Sequence, residues 1–217
     1  MKSLIKRSIF IDGSNFKYAT YKALNFKVDF VKLLRVLTEG RYLLRAYYYS
    51  GIWTEESIRA FIRLKNQLNP NNFYNEGEHE EDEISDKELF EKLMQKRKKE
   101  LDFLRFLNRS GYHVVTKPVR VYKDYITEEP MFKANLDIEI VLDMQKIAPF
   151  SDEIVLVTGD GDFAPVVREL HRFGVRIILV TTLSREAQNN GYKASEELVD
   201  AADEFIDIVD LVDKVRR

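Results

Sequence analysis

The sequence predicts an α/β fold built on a mostly parallel sheet with helices covering both faces. Three observations carry that expectation. Short apolar runs alternate with segments of helical periodicity along the chain. Two of those runs, RSIFID (7–12) and EIVLV (153–157), lead into turns that hold aspartate and glycine. A third run, VRIILVTT (175–182), follows a helical stretch that stops at Gly174.

Taken in order, residues 7–12 read as a buried strand carrying Asp12 at its end, followed by the polar turn Gly13-Ser14-Asn15. Phe30, Leu33, Leu34 and Leu37 have helical spacing over 28–38, and Gly40 is the stop. YLLRAYYYS (42–50) is a second, tyrosine-rich strand, and a helix over 54–68 ends before Asn69-Pro70. Residues 76–86 hold seven carboxylates in eleven positions, too charged to bury anything, and are expected to be an exposed insertion. A helix over 86–109 follows, with Phe90, Leu93, Leu101, Leu104 and Leu107 at near-helical spacing, interrupted by Lys96-Arg97-Lys98-Lys99. Residues 112–123 look extended, with Pro118 marking an edge or a break. A helix is expected over 133–147, and a last apolar run lies near Phe205-Ile206. The chain of 217 residues suits one domain, 1–217, with a charged insertion around 74–100.

Composition excludes several chemistries. The chain has no cysteine, so disulfides, thiolate zinc sites and cysteine nucleophiles are all ruled out. The three histidines (His79, His113, His171) are scattered, so any metal must rely on oxygen ligands. No apolar run reaches the roughly 18 residues of a transmembrane helix, and the opening MKSLIKRSIFID lacks the pattern of a signal peptide. A cytoplasmic protein is expected. The net charge of −2 neither advertises a nucleic-acid partner nor argues against one, since local patches matter more than the sum.

The chemistry is expected at aspartates. Ligands of open parallel sheets bind beyond the carboxyl ends of the strands, where the strand order switches, and Asp12 and Asp160 stand at two such ends. DGSN is good turn chemistry, so Asp12 also reads as a turn or cap residue. Asp162, just ahead of a helix with Pro165 in its first turn, also reads as a cap. Asp160 lies between Gly159 and Gly161, where backbone can approach a ligand closely. With successive helical residues about 100° apart, Asp137 falls within the apolar stripe of Ile140, Val141, Met144 and Ile147. A carboxylate there needs a partner, and either Lys133 one turn earlier or a metal would serve. Asp143 borders the stripe, whereas Glu139 should be solvated. Carboxylates without histidine or cysteine suit Mg2+ or Mn2+, whose chemistry includes phosphodiester hydrolysis.

IFIDGSN (9–15), KANLDIEIVLDM (133–144), IVLVTGDGDFAPVVRELHRFGVRIILV (154–180) and SEELVDAADEFIDI (195–208) resemble the NYN domain, the LabA-like branch of the PIN-like nuclease superfamily. The resemblance implies a Rossmann-like, PIN-type three-layer domain and divalent-metal-dependent cleavage of RNA. It implies that Asp12, Asp137, Asp160 and Asp162 bind the metal, that Asn15 orients ligands or substrate, and that Asp143 is auxiliary. It is also compatible with a homodimer.

An acidic centre that handles RNA needs basic surroundings. Candidates are the 96–99 cluster, Lys117, Arg120 and Lys123 on one extended stretch, and Arg185 and Lys193 after the last long strand. Each also reads as an ordinary solvated charge. Tyr47, Tyr48, Tyr49 and Trp53 could stack bases, but aromatics favour strands and alternate ones pack inward. The leading expectation is a ribonuclease. A non-catalytic RNA- or protein-binding regulatory module is the alternative. A phosphatase is a minor third, because Ser14 stands where the second acid of such a site would follow Asp12.

Overall fold

The computed structural model describes residues 4–68, 85–124 and 129–217. These fall into two compact units. The first comprises Met1–Ser50, Leu107–Val115 and Leu136–Arg217, and the second Gly51–Phe106 and Thr116–Asn135. Most of the acidic 76–86 segment lies outside the described residues.

The first unit carries the sheet. Strands β1 (Lys6–Asp12), β2 (Tyr42–Ile52), β3 (Tyr112–Pro118), β6 (Glu153–Val157), β7 (Arg176–Thr181) and β8 (Glu204–Asp207) lie in the order β3-β2-β1-β6-β7-β8. The β1–β2, β1–β6, β6–β7 and β7–β8 pairs are all parallel. Ile9, Phe10, Ile11, Ile154, Leu156, Val157, Ile177, Leu179 and Val180 are fully buried. Central strands of a parallel sheet are covered on both faces and so read as unbroken apolar runs. The α/β expectation is met: a mostly parallel six-stranded sheet flanked by helices. The order runs outward on one side of β1 and resumes on the other with β6, which puts the switch point between these two strands.

Both edges of the switch open into helical turns. DGSN is not an isolated turn: Asp12 caps α1 (Gly13–Lys17), which runs on into a π-helical stretch, Tyr18–Ala23. There the Leu24 N–H reaches back five residues to the Ala19 carbonyl, the wider spacing that defines a π turn. On the other side, Asp160 caps a 3-10 turn (Gly161–Phe163) that leads into α6 (Ala164–Leu170). Gly174, at φ 72°, ends the following 3-10 turn in the left-handed conformation that glycine accepts without strain.

Helix α5 departs from expectation. It spans Asp137–Ile147, not 133–147. Lys133 is the last residue of strand β5 (Pro130–Lys133), paired with Arg120 of β4 (Arg120–Lys123). Cross-strand pairing overrides the helical periodicity there, so Lys133 is not one helical turn ahead of Asp137. The buried stripe of α5 is Leu136, Ile140, Met144 and the following Ala148, with Asp137 half-buried next to it. Glu139 is also half-buried, with one carboxylate oxygen shielded from solvent, contrary to the solvated position expected.

The second unit holds α3 (Glu55–Leu68), most of α4 (Asp86–Arg109) and the β4–β5 hairpin. Ser85 and Glu88 cap α4 reciprocally: the Glu88 amide donates to the Ser85 hydroxyl oxygen, and the Ser85 amide donates to the Glu88 carboxylate. Trp53 packs against Phe61 and Phe132, and Arg97 Nε donates to the Trp53 carbonyl at 2.8 Å. Trp53 is therefore a packing residue of this unit. On the sheet, Tyr48 and Tyr49 are buried and Tyr47 stacks on Phe10, so the tyrosine run is packed sheet.

Candidate functional site

Asp12 and Asn15 lie at the carboxyl end of β1, Asp160 and Asp162 just beyond that of β6, and the charge of Asp137 bears on Asp12. Asp12 Oδ1 accepts the Ser14 and Asn15 amides, each at 3.1 Å, and Oδ2 accepts the Thr158 hydroxyl at 3.3 Å. All three donors are uncharged. Burial pushes the Asp12 carboxyl up from 3.8 to about 6, and the nearby Asp137 charge pushes the same way. The amides of Asn15 and Ser14 and the Thr158 hydroxyl oppose the rise without cancelling it. Asp12 and Asp137, both half-buried, are thus close enough for the charge of one to bear on the other.

Asn15 bridges the two strand ends. Its Oδ1 accepts the Gly159 amide at 2.8 Å and the Tyr192 hydroxyl at 2.8 Å. Tyr192 is buried and lies 2.7 Å from the Thr181 hydroxyl. Burial and the charges of Asp12, Asp160 and Asp207 hold the phenol up at about 12, against the pull of the Thr181 hydrogen bond. The packing leaves no room for a side chain at 159: a Cβ there would stand 2.3 Å from the Tyr192 oxygen and 2.9 Å from Thr181 Oγ1. Gly13 is confined in the same way: a Cβ there would stand 2.5 Å from the Tyr49 carbonyl oxygen.

Asp160 is half-buried and accepts the Asp162 amide at 3.0 Å. It lines an open pocket of about 520 Å³ with Asn15, Gly159, Gly161, Lys193 and Ser195. Asp162 is exposed and contributes its backbone amide to the Asp160 cap. Asp143 accepts the Tyr49 hydroxyl at 3.1 Å and pairs with Lys146 at 3.4 Å. Burial first, and then the Asp143 charge and hydrogen bond, raise the Tyr49 phenol far above its ordinary value, so the phenol stays a donor.

Lys193 reaches the pocket, and Arg185 is exposed at the start of α7 (Arg185–Asn189). Lys117, Arg120, Lys123 and Lys133 belong to the second unit. There Arg120 and Lys133 form one cross-strand pair of the hairpin, and Tyr122 and Met131 form the pair two residues along. All four side chains are exposed and share one face of the ribbon. His171 is exposed and bonded to Asp203 at 3.0 Å.

An all-oxygen set drawn from Asp12, Asp137 and Asp160 has the donor chemistry of a hard divalent cation. Among the described residues, no three His, Cys, Asp or Glu side chains form a group that could hold a metal ion by themselves. Mg2+ itself normally takes only one or two carboxylates and fills its shell with water and substrate oxygen.

Thr158, Thr181 and Tyr192 were not found from the sequence. Thr158 had a signal, since it directly precedes the GDGD turn. Tyr192 had none, because its role depends on a loop returning from β7.

The NYN domain family model matches residues 6–210. The chain is 38% identical over 102 residues to the Low amplitude and bright protein LabA of Synechococcus elongatus. That match covers 46% of this chain and 50% of the relative, so the chain spans about half the length of the curated protein it matches. The fold is similar to that of a protein of unknown function from Vibrio parahaemolyticus, with a TM-score of 0.62 and 22% identity over 96% of each chain. No described helix is long and apolar enough to cross a membrane.

Proposed function

Because the chain belongs to the NYN domain family, we propose that it is a divalent-metal-dependent ribonuclease, an endonuclease acting on single-stranded or structured RNA. The observation that carries this reading is the pair of aspartates flanking the sheet's switch point. Asp12 ends β1, Asp160 follows β6, and the Asp137 charge bears on Asp12. Burying carboxylates together is costly unless a cation or a proton joins them.

Each residue has a part in this reading. Asp12 and Asp137 hold the cation, with Asp160 and Asp162 at the rim of its shell and Asp143 in support through Tyr49. Mg2+ or Mn2+ bound there supplies positive charge to the phosphate oxygens and lowers the barrier to attack by water. Lys193 and Arg185 draw the RNA backbone toward the strand ends. The Arg120, Tyr122 and Lys133 face of the hairpin offers cations and a ring to single-stranded RNA, as do the neighbouring Lys117 and Lys123. The stretch around 74–100 is an insertion within a single NYN domain, and a homodimer is compatible with the family.

The second reading is a non-catalytic RNA- or protein-binding regulator. The absence of a ready three-acid metal group among the described residues favours it.

Cleavage of end-labelled single-stranded RNA in Mn2+, Mg2+ or EDTA separates the two, with Asp160→Asn run in parallel. Cutting that needs the ion and vanishes in the variant supports the nuclease. RNA retained in a gel shift without cutting supports the regulator.

A further inference from the structure

The hydrogen bonds around Asn15 have a fixed direction. A backbone amide can only donate, so the Asn15 atom facing the Gly159 amide is its oxygen, and the orientation of the carboxamide follows. The Tyr192 hydroxyl donates its one hydrogen to that same oxygen. The Thr181 hydroxyl, 2.7 Å from the phenol, must then donate to Tyr192. A chain of donors therefore runs Thr181 to Tyr192 to Asn15 through the buried interior, and its end is locked by Gly159.

Two donors fill both lone pairs of a carboxamide oxygen. The oxygen with which Asn15 could ligate a hard cation is therefore occupied. What remains is Nδ2, with two N–H donors and, among the described residues, no acceptor paired with it. Asn15 lines the open pocket of about 520 Å³ that also exposes Lys193. An amide donor beside an ammonium is chemistry for an anionic oxygen.

We infer that Asn15 donates a hydrogen bond to a phosphodiester oxygen of RNA and is not a ligand of the cation, with Lys193 holding the same phosphate. Tyr192 is a positioning residue: it acts through Asn15 by holding the carboxamide oxygen, which leaves the amide nitrogen as the free donor. The inference rests on the ribonuclease reading and sharpens it. Asp160 and Glu196 carboxylates line the same pocket, so binding of a bare anion is weak and the test includes a divalent ion.

The test compares wild type, Asn15→Asp and Tyr192→Phe by two readouts. Calorimetry gives Mn2+ affinity, and fluorescence anisotropy gives the affinity for a labelled single-stranded oligoribonucleotide. The second is read in Ca2+, with a gel verifying that the RNA stays intact. Aspartate keeps an oxygen for Gly159 and Tyr192 but cannot donate. The expected result is Mn2+ affinity equal to or above wild type, with RNA affinity down about ten- to a hundredfold. Tyr192→Phe should leave Mn2+ affinity intact and weaken RNA binding by about three- to tenfold.

Parallel loss of Mn2+ binding in Asn15→Asp, or unchanged RNA binding, overturns the inference while leaving the nuclease reading in place. If circular dichroism shows that Asn15→Asp does not fold, Tyr192→Phe decides by the same two readouts. A wild-type protein that takes Mn2+ but no RNA overturns the ribonuclease reading and the phosphate assignment with it.

Discussion

At the amino end of the β1–β6 pair, Glu153 is buried between two guanidiniums; at the carboxyl end of the same pair, Asp12 is half-buried and feels the charge of another carboxylate, Asp137. Arg7 Nε donates to Glu153 at 2.8 Å and Arg41 Nε at 2.9 Å, and Arg7 also donates to the Leu37 carbonyl. Burial opposes ionisation of Glu153, but the Arg41 and Arg7 bonds outweigh it and its carboxyl lies below the ordinary value. Asp12 has only neutral donors, and its carboxyl lies well above. The two ends are separated by a few residues of strand, and the core between them is equally dry. The difference teaches that this protein surrounds one strand-end acid with cations and leaves the other to neutral donors, at the end where the proposed cation would act.

The largest effect should come from breaking the compensated end. Glu153→Gln leaves Arg7 and Arg41 around a neutral amide, and loss of one partner from a buried pair costs about 3–5 kcal/mol. Urea unfolding would read this, and a loss below about 1 kcal/mol would mean the cluster is ordinary surface pairing.

Asp12→Asn should move stability the other way. A carboxyl raised from 3.8 to about 6 by folding makes the folded state bind more protons between those values, so stability falls as pH rises through that window. The substitution should therefore be near neutral below pH 4 and should stabilise the metal-free protein above pH 6. Two pKa units correspond to about 3 kcal/mol, and asparagine still caps α1. Unfolding curves at pH 4 and pH 8 check this; an equal effect at both would sever it from ionisation.

A smaller gain is expected from the ion itself. Mn2+ at roughly twenty times its Kd should raise wild-type stability by about 2 kcal/mol. The gain should shrink at pH 5, where Asp12 carries a proton, and should be lost in Asp12→Asn. Melting curves with and without Mn2+ decide the matter, and a gain indifferent to Asp12 would place the ion elsewhere. Smallest of all, Arg41→Ala should lower the urea midpoint less than Glu153→Gln does, since Arg7 remains bonded to Glu153.

Much of this frame was legible in the sequence. The runs RSIFID, EIVLV and VRIILVTT became β1, β6 and β7 because buried parallel strands leave an apolar signature that needs no partner to interpret. The strand-end positions of Asp12 and Asp160 followed from the same runs. Lys133 was misplaced because a strand of four residues is defined by its partner, and Arg120 is not near it in sequence. The Arg7–Glu153 pair depends on the β1–β6 register, and the Thr181–Tyr192–Asn15 chain on three segments meeting. Neither leaves a local pattern. Glu139 was misjudged because a helical wheel shows the stripe of its own helix but not what shields the other side.

The crowding at Gly159 bears on inheritance. The volume a methyl group would need is already filled by the Tyr192 oxygen, so the two positions form a single heritable choice. A descendant chain can gain a side chain at 159 only if the Thr181 hydroxyl, 2.9 Å from a Cβ there, shifts and the phenol oxygen at 192 is surrendered. Surrendering it first unlocks Asn15, so neither step is silent. Among chains of this fold, a side chain at 159 should therefore be accompanied by loss of the phenol oxygen at 192.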